Sequence, residues 1–348
     1  MRIIHKSIHI IDYEKNSVMQ REAPLEFDSY ITELIGHVSQ ASSFKAYKSR
    51  SCSTEVLSCV LEMCSDYDTN ETVISKTEII ANRLLLKEAD AQAQIARTNT
   101  NVKKGSLVQV LLKNDVQKEY SYILAKVEHS EWIDDYDFTF KTGFSKEKKA
   151  FWKSCLIQIP NLSSSEFSSK VHTISGAKYW SDAFLEFDEV NTDAMNTRLA
   201  FKAIDAVLNQ SFKGTASPDR TVIRNTFIGY LKNNELVNYS TMVDSVLENY
   251  QPYDASHEKI NSIRLKLHEA PEKKGFDGQF TAMNKAINAR IKQVYPVTDG
   301  VELKINQAIN QLSNTIQSFE VDGVKYIRIR TTDENTYKAF QIERKEQV

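Results

Sequence analysis

Apolar residues alternate with polar ones at the start of the chain. Ile4, Ile8 and Ile10 share one face of residues 1–13, with Lys6 among them, which predicts a strand. The period then lengthens. Tyr30, Ile31, Leu34, Ile35 and Val38 form a helical stripe, as do Val56, Leu57, Val60, Leu61 and Cys64 behind a cap at Ser53 or Thr54. A longer helix is expected over residues 77–97, with Ile80, Leu84, Ala91 and Ile95 roughly in phase. Period 2 returns in four runs, 106–112, 119–127, 137–142 and 150–159. Asn114-Asp115 and Lys141-Thr142-Gly143 supply turns between them, and Pro160 with Ser163–Ser165 ends the series. Consecutive strands with short connections predict an antiparallel meander.

From about residue 178 the pattern is mainly helical. Asn191 or Thr192 can cap a helix reaching Gln210, and Ser217-Pro218 is an N-cap followed by proline at the first helical position. Ser240 and Ser256 open two more helices. The last 70 residues predict a helix over 280–292, a strand at 301–305, a short helix and a hairpin. The hairpin strands are 315–321 and 324–331, joined at Asp322-Gly323, whose residue types suit a two-residue turn with positive φ. A charged helix, 334–344, finishes the chain. The fold class is therefore α+β. An N-terminal part (1–175) has an antiparallel sheet with helices, and a C-terminal helical part (176–348) ends in a small β-hairpin subdomain.

Composition narrows the classes. The chain has 348 residues, 41% hydrophobic and 26% charged with ten glycines, which excludes collagen-like and disordered classes. No apolar run approaches the roughly 18 residues of a membrane helix. The first residues lack the apolar stretch of a signal peptide, so a cytoplasmic protein is expected, without a membrane partner. Cys52, Cys59, Cys64 and Cys155 form no C-x-x-C pair and are expected as structural thiols.

Candidate chemistry is sparse. His257-Glu258 lacks the second histidine of H-E-x-x-H, because position 261 is asparagine, and the glycines form none of the common phosphate loops. No cofactor, metal or catalytic residue is assigned, and the expected protein is not an enzyme. One opening toward catalysis is Glu302-Leu303-Lys304 with Asp299 upstream, since Mg²⁺-dependent nucleases place an acid and a lysine on one strand face. The strand after Gly323 is more informative. Alternation puts Val324, Tyr326, Arg328 and Arg330 on one face and Ile327 and Ile329 on the other, the second expected in the core. An aromatic ring and two guanidinium groups in a row suit phosphate contacts. Other basic residues that could join them are Lys146, Lys148 and Lys149, then Lys273 and Lys274, then Arg290 and Lys292. Net charge is -2 for the whole chain, yet residues 271–348 hold 12 Lys+Arg against 10 Asp+Glu. Any nucleic-acid surface must be local.

Several segments together resemble the bacterial 37-kDa nucleoid-associated protein family. They are Ser7–Asp12, Tyr30–Val38, Ala46-Tyr47, the meander from Lys104-Gly105-Ser106, Tyr179-Trp180, Phe184-Leu185, and Phe280 followed by Gly300–Lys304 and Gly323–Ile329. The resemblance covers most of the chain as a pattern of elements without a dense motif. It implies a protein on the nucleoid that binds double-stranded DNA with little sequence preference and self-associates as a homodimer. It also implies a link to type II topoisomerases, and it brings no catalytic residues. Two alternatives stay open: a protein-interaction or regulatory subunit of a bacterial defence or topoisomerase-associated assembly, docking through helices 191–270, and the Mg²⁺-dependent nuclease.

Overall fold

The computed structural model describes all residues except 23–26, 41, 96–100, 103, 134–135, 137–138, 145–151, 174–178, 214–216, 289–292, 306–311 and 342–348. The chain forms two compact units. One comprises Met1–Asn196 with Phe276–Thr281, the other Thr197–Gly275 with Ala282–Val348.

In the first unit the order is β1 (Arg2–Asp12), β2 (Ser17–Arg21), α1 (Phe27–Gln40), β3 (Lys45–Ser49), α2 (Glu55–Ser65) and α3 (Asn70–Ile95). The strands β4 (Gly105–Asn114), β5 (Glu119–Ile133), β6 (Phe140–Phe144), β7 (Trp152–Ile159) and β8 (Ser168–His172) follow. A π-turn, Tyr179–Phe184, leads into β9 (Phe187–Glu189). The sheet is antiparallel as predicted, and the runs that form β4, β5 and β7 are neighbours in it. The run that forms β6 pairs with the far end of β5 instead of standing between β5 and β7, and β8, which lies past the expected end of the series, extends the sheet beyond β7. The full order is β2-β1-β4-β5-β7-β8-β3-β9, so β1 adds to one side of the meander and β3 to the other.

Helices cover both faces of this sheet. Val56, Val60, Ile80 and Leu84 from α2 and α3 pack with Leu107, Leu111, Tyr122 and Ile157, together with Trp180 and Phe184 of the π-turn. Ile31, Leu34 and Val38 of α1 pack with Ile8, Val108, Val110, Ile123 and Ala125 on the opposite face. Double coverage explains why the first eight residues of β4 are all buried, although an antiparallel strand commonly leaves one face wet. The thiols of Cys59, Cys64 and Cys155 lie in the core, where burial raises their pKa, that of Cys64 to about 12.

The α3 side of the sheet is unusually polar. Gln109 accepts a hydrogen bond from Tyr122 Oη at 2.8 Å. Its amide nitrogen donates to Thr77 O at 2.8 Å and lies 3.2 Å from His9 Nδ1. Further along the same face Lys126 forms an ion pair with Glu88, both side chains fully buried. Lys126 and Lys153 are directly opposed on β5 and β7, and Tyr179 Oη donates to Glu88 at 3.4 Å. Burial pushes the Glu88 carboxyl up, against the pull of both lysines.

Helix α4 (Asp193–Ser211) leads from the first unit into the second, and at its start Thr192 Oγ1 accepts from Met195 N at 3.2 Å. Then come α5 (Pro218–Asn233), β10 (Leu236–Asn238), α6 (Tyr239–Leu247), α7 (His257–His268) and α8 (Ala270–Lys274). Ser256 caps α7 as expected, accepting from Lys259 N at 3.2 Å. Helix α6 begins one residue before Ser240, and its cap is Asn238, which accepts from Thr241 N.

The helix expected over 280–292 is corrected. Gln279–Thr281 forms strand β11, and among the described residues of that range the helix is confined to Asn284–Asn288 (α9). Phe280, Met283 and Ile287 imitate a helical stripe. Phe280, however, belongs to a segment that returns to the first unit, where Gln279 N donates to Phe44 O at 3.0 Å.

Two hairpins end the second unit. The first pairs β12 (Gln293–Thr298) with β13 (Val301–Ile305), and the second pairs β14 (Ile316–Val321) with β15 (Val324–Ile329). Helix α10 (Leu312–Thr315) precedes β14, and α11 (Glu334–Ala339) follows β15. Among the described residues no helix is long and apolar enough to cross a membrane.

Candidate nucleic-acid interface

The β14–β15 hairpin is built around its turn. Asp322 has φ +49° and Gly323 φ +76°, the pair of left-handed residues that matches the twist of a two-residue hairpin. The register then places side chains without ambiguity. Gln317 opposes Arg328, Phe319 opposes Tyr326 and Val321 opposes Val324, all on one face. Ile316, Ser318 and Glu320 oppose Ile329, Ile327 and Lys325 on the other.

The first face carries the predicted residues Tyr326, Arg328 and Arg330, together with a partner that single-strand alternation could not reveal. Phe319 stacks on Tyr326 with ring centroids 5.3 Å apart and planes at 16°, and both residues are 46% exposed. One guanidinium nitrogen of Arg328 donates to Gln317 Oε1, which fixes the group and leaves most of its five donors outward. Arg330 continues the row, its backbone nitrogen donating to Thr315 O at 2.8 Å. Asn314, Thr315, Gln317, Arg328, Ile329 and Arg330 line a cleft of about 280 Å³ at this open end. No carboxylate lies on this face of the two strands; Glu320 is on the other, and Asp322 is in the turn.

The expected burial of Ile327 and Ile329 is corrected, because they are 43% and 50% exposed. Alternation correctly sorts the two faces but cannot say that either one is covered.

The other predicted basic residues are distributed as follows. Lys273 and Lys274 lie in the last turn of α8, where Lys273 pairs with Glu269 at 2.5 Å. Lys146, Lys148, Lys149, Arg290 and Lys292 lie outside the described residues. Glu302 and Lys304 share a face of β13 opposite Pro296 and Val294, and both are exposed. The buried carboxylate of Asp277, in the segment that returns to the first unit, accepts from Ala46 N at 3.1 Å and from Asn196 Nδ2 at 2.7 Å. Among the described residues no group of three His, Cys, Asp or Glu side chains could hold a metal ion.

Sequence reading also missed a polar row along the α6–α7 seam. Ser240 Oγ lies 3.1 Å from His268 Nδ1, His268 Nε2 lies 2.8 Å from Asp244 Oδ1, and Arg264 binds both Asp244 and Glu248. Serine, histidine and aspartate in sequence resemble a nucleophile relay. Yet the row alternates donors and acceptors turn by turn and runs on through Arg264 to Glu248, which is the form of a strut between two helices.

No family model matches the chain, and no curated protein is detectably similar to it.

Proposed function

We propose that the protein binds DNA, with little sequence preference, through the face of the β14–β15 hairpin that carries Arg328 and Arg330. The observation that carries this reading is charge segregation. In a chain of net charge -2, one exposed face of a two-stranded ribbon holds two guanidinium groups and no carboxylate. Arginine suits phosphate because its planar fork donates in pairs, and such a ribbon has the width of a DNA major groove. The resemblance to the 37-kDa nucleoid-associated family supports the same reading, and a protein of this kind would reside on the nucleoid.

The test is duplex binding by fluorescence anisotropy across a salt series. Affinity should fall steeply with salt. Replacing both Arg328 and Arg330 with glutamine should lower the slope of log affinity against log salt by about 2, one unit for each phosphate no longer neutralised. Absence of binding to duplex and single-stranded DNA alike at low salt overturns the proposal.

A further inference from the structure

The face that carries the arginines also carries an exposed pair of stacked rings, and the two features together narrow the ligand. We infer that the hairpin holds an unpaired nucleic-acid strand, with a base stacked on the Phe319–Tyr326 platform and the adjoining phosphates on Arg328 and Arg330. This inference rests on the DNA-binding reading and specifies the form of nucleic acid that the same site prefers.

The argument is geometric. Tyr326, Arg328 and Arg330 alternate along one chain, so they recur about every 6.6 Å on one face. A ring, a cation and a second cation therefore follow one another in a line. This is the order of contacts an extended strand presents when its base turns inward and its phosphates run on. Phe319, directly across the ladder from Tyr326, stacks against that ring and braces it.

A duplex offers nothing to such a platform. Its bases stack on one another and show only their edges in the grooves, whereas an unpaired base exposes its π-face, which any aromatic side chain can meet. Two neighbouring side chains set a direction. Gln317 holds the Arg328 guanidinium at the open end of the hairpin, and Asp322 places a negative charge at the turn. Phosphates are thus drawn toward Arg330 and away from the tip. Val321 and Val324, both about half exposed, lie between the rings and the turn and extend the apolar part of the platform.

The test uses the full chain with three labelled probes: oligothymidine, its ribonucleotide counterpart, and a DNA duplex of the same length. Anisotropy titrations compare the wild type with a Phe319→Leu/Tyr326→Leu double variant and an Arg328→Gln/Arg330→Gln double variant. Circular dichroism confirms the fold of each, since all four positions are exposed. The aromatic variant should bind the single strands roughly 10-fold or more weakly, as expected when stacking is removed, while its duplex affinity stays unchanged. The arginine variant should weaken on every probe. Comparing the two single strands shows whether the sugar matters, and equal binding supports recognition by base face and phosphate alone. An aromatic variant that binds oligothymidine like the wild type overturns this inference but leaves DNA binding standing, as does an equal weakening on single strand and duplex. A wild type that binds none of the three overturns both.

Discussion

Asn196 and Asp277, 81 positions apart, hold each other by two hydrogen bonds. The Asn196 amide nitrogen donates to Asp277 Oδ2 at 2.7 Å, and the Asp277 backbone nitrogen donates to Asn196 Oδ1 at 3.0 Å. The second carboxylate oxygen accepts from Ala46 N at the start of β3. Asp277 is 4% exposed, and burial lifts its carboxyl above the ordinary range in spite of these donors. Replacing Asp277 with alanine would strand the Ala46 N–H and the Asn196 amide without their acceptor. The expected cost is about 3 kcal/mol, from buried donors left unpaired. Urea denaturation of Asp277→Ala and Asn196→Ala checks it, and the double variant should cost less than the sum because the two share a bond.

Gly278 makes a sharper prediction. A Cβ at this position would lie 1.8 Å from the carbonyl oxygen of Ser42, a backbone atom that cannot swing aside. Gly278→Ala should destabilise the first unit by roughly 3 kcal/mol, the upper range for overpacking. Limited proteolysis should then cut within 276–281 well before the wild type is cut there.

The buried ion pair should respond asymmetrically. Glu88→Leu leaves Lys126 and Lys153 facing each other across the ladder, whereas Lys126→Met leaves Glu88 with Lys153 and the Tyr179 hydroxyl. Removing one member of a buried pair costs roughly 3–5 kcal/mol, and Glu88→Leu should lie at the upper end. The Glu88→Leu/Lys126→Met double variant should recover part of that stability, as chemical denaturation of the cycle would show.

His9 predicts acid sensitivity. Burial, with a smaller contribution from His5, lowers its pKa to about 4 from an ordinary 6.5. The local geometry agrees, since Nδ1 faces the amide nitrogen of Gln109, a donor, and so must stay unprotonated. The unfolded chain takes up this proton first, so the stability present above pH 6.5 is lost as pH falls toward 4. One group shifted this far contributes about 3 kcal/mol across the window. His9→Gln should flatten the fall in thermal midpoint between pH 6.5 and 4; an unchanged slope would assign the acid sensitivity to other groups.

Much of this fold is legible in the sequence because periodicity reports which faces are buried. The meander strands, the stripes of α1 and α2 and the Ser256 cap all follow from local pattern. What escapes has a physical cause. Strand β3 is five residues long and gains its place only by pairing with β8 and β9, more than a hundred positions away. The stripe Phe280–Met283–Ile287 looks helical because it spans two different environments. On β15, alternation sorts the residues onto the two faces that the register shows. It cannot supply Phe319 and Gln317, whose positions depend on a cross-strand register, and it cannot show that both faces are exposed. His9, Lys126 and Glu88 are invisible for a similar reason: a polar residue on a strand or helix reads as solvated until another element covers it.

The return of Phe276–Thr281 to the first unit has a consequence for synthesis. A ribosome releases the chain from its N-terminus, and a domain made of one continuous stretch can settle while the rest is still being made. Here residues 197–275 must be translated before Asp277 and Gln279 exist to meet Asn196 and Thr173. Until then β3 and the end of β8 wait with unfilled hydrogen bonds. The nascent protein is therefore committed to a late, long-range closure, in which the clasp of its first domain arrives only after most of the second has emerged.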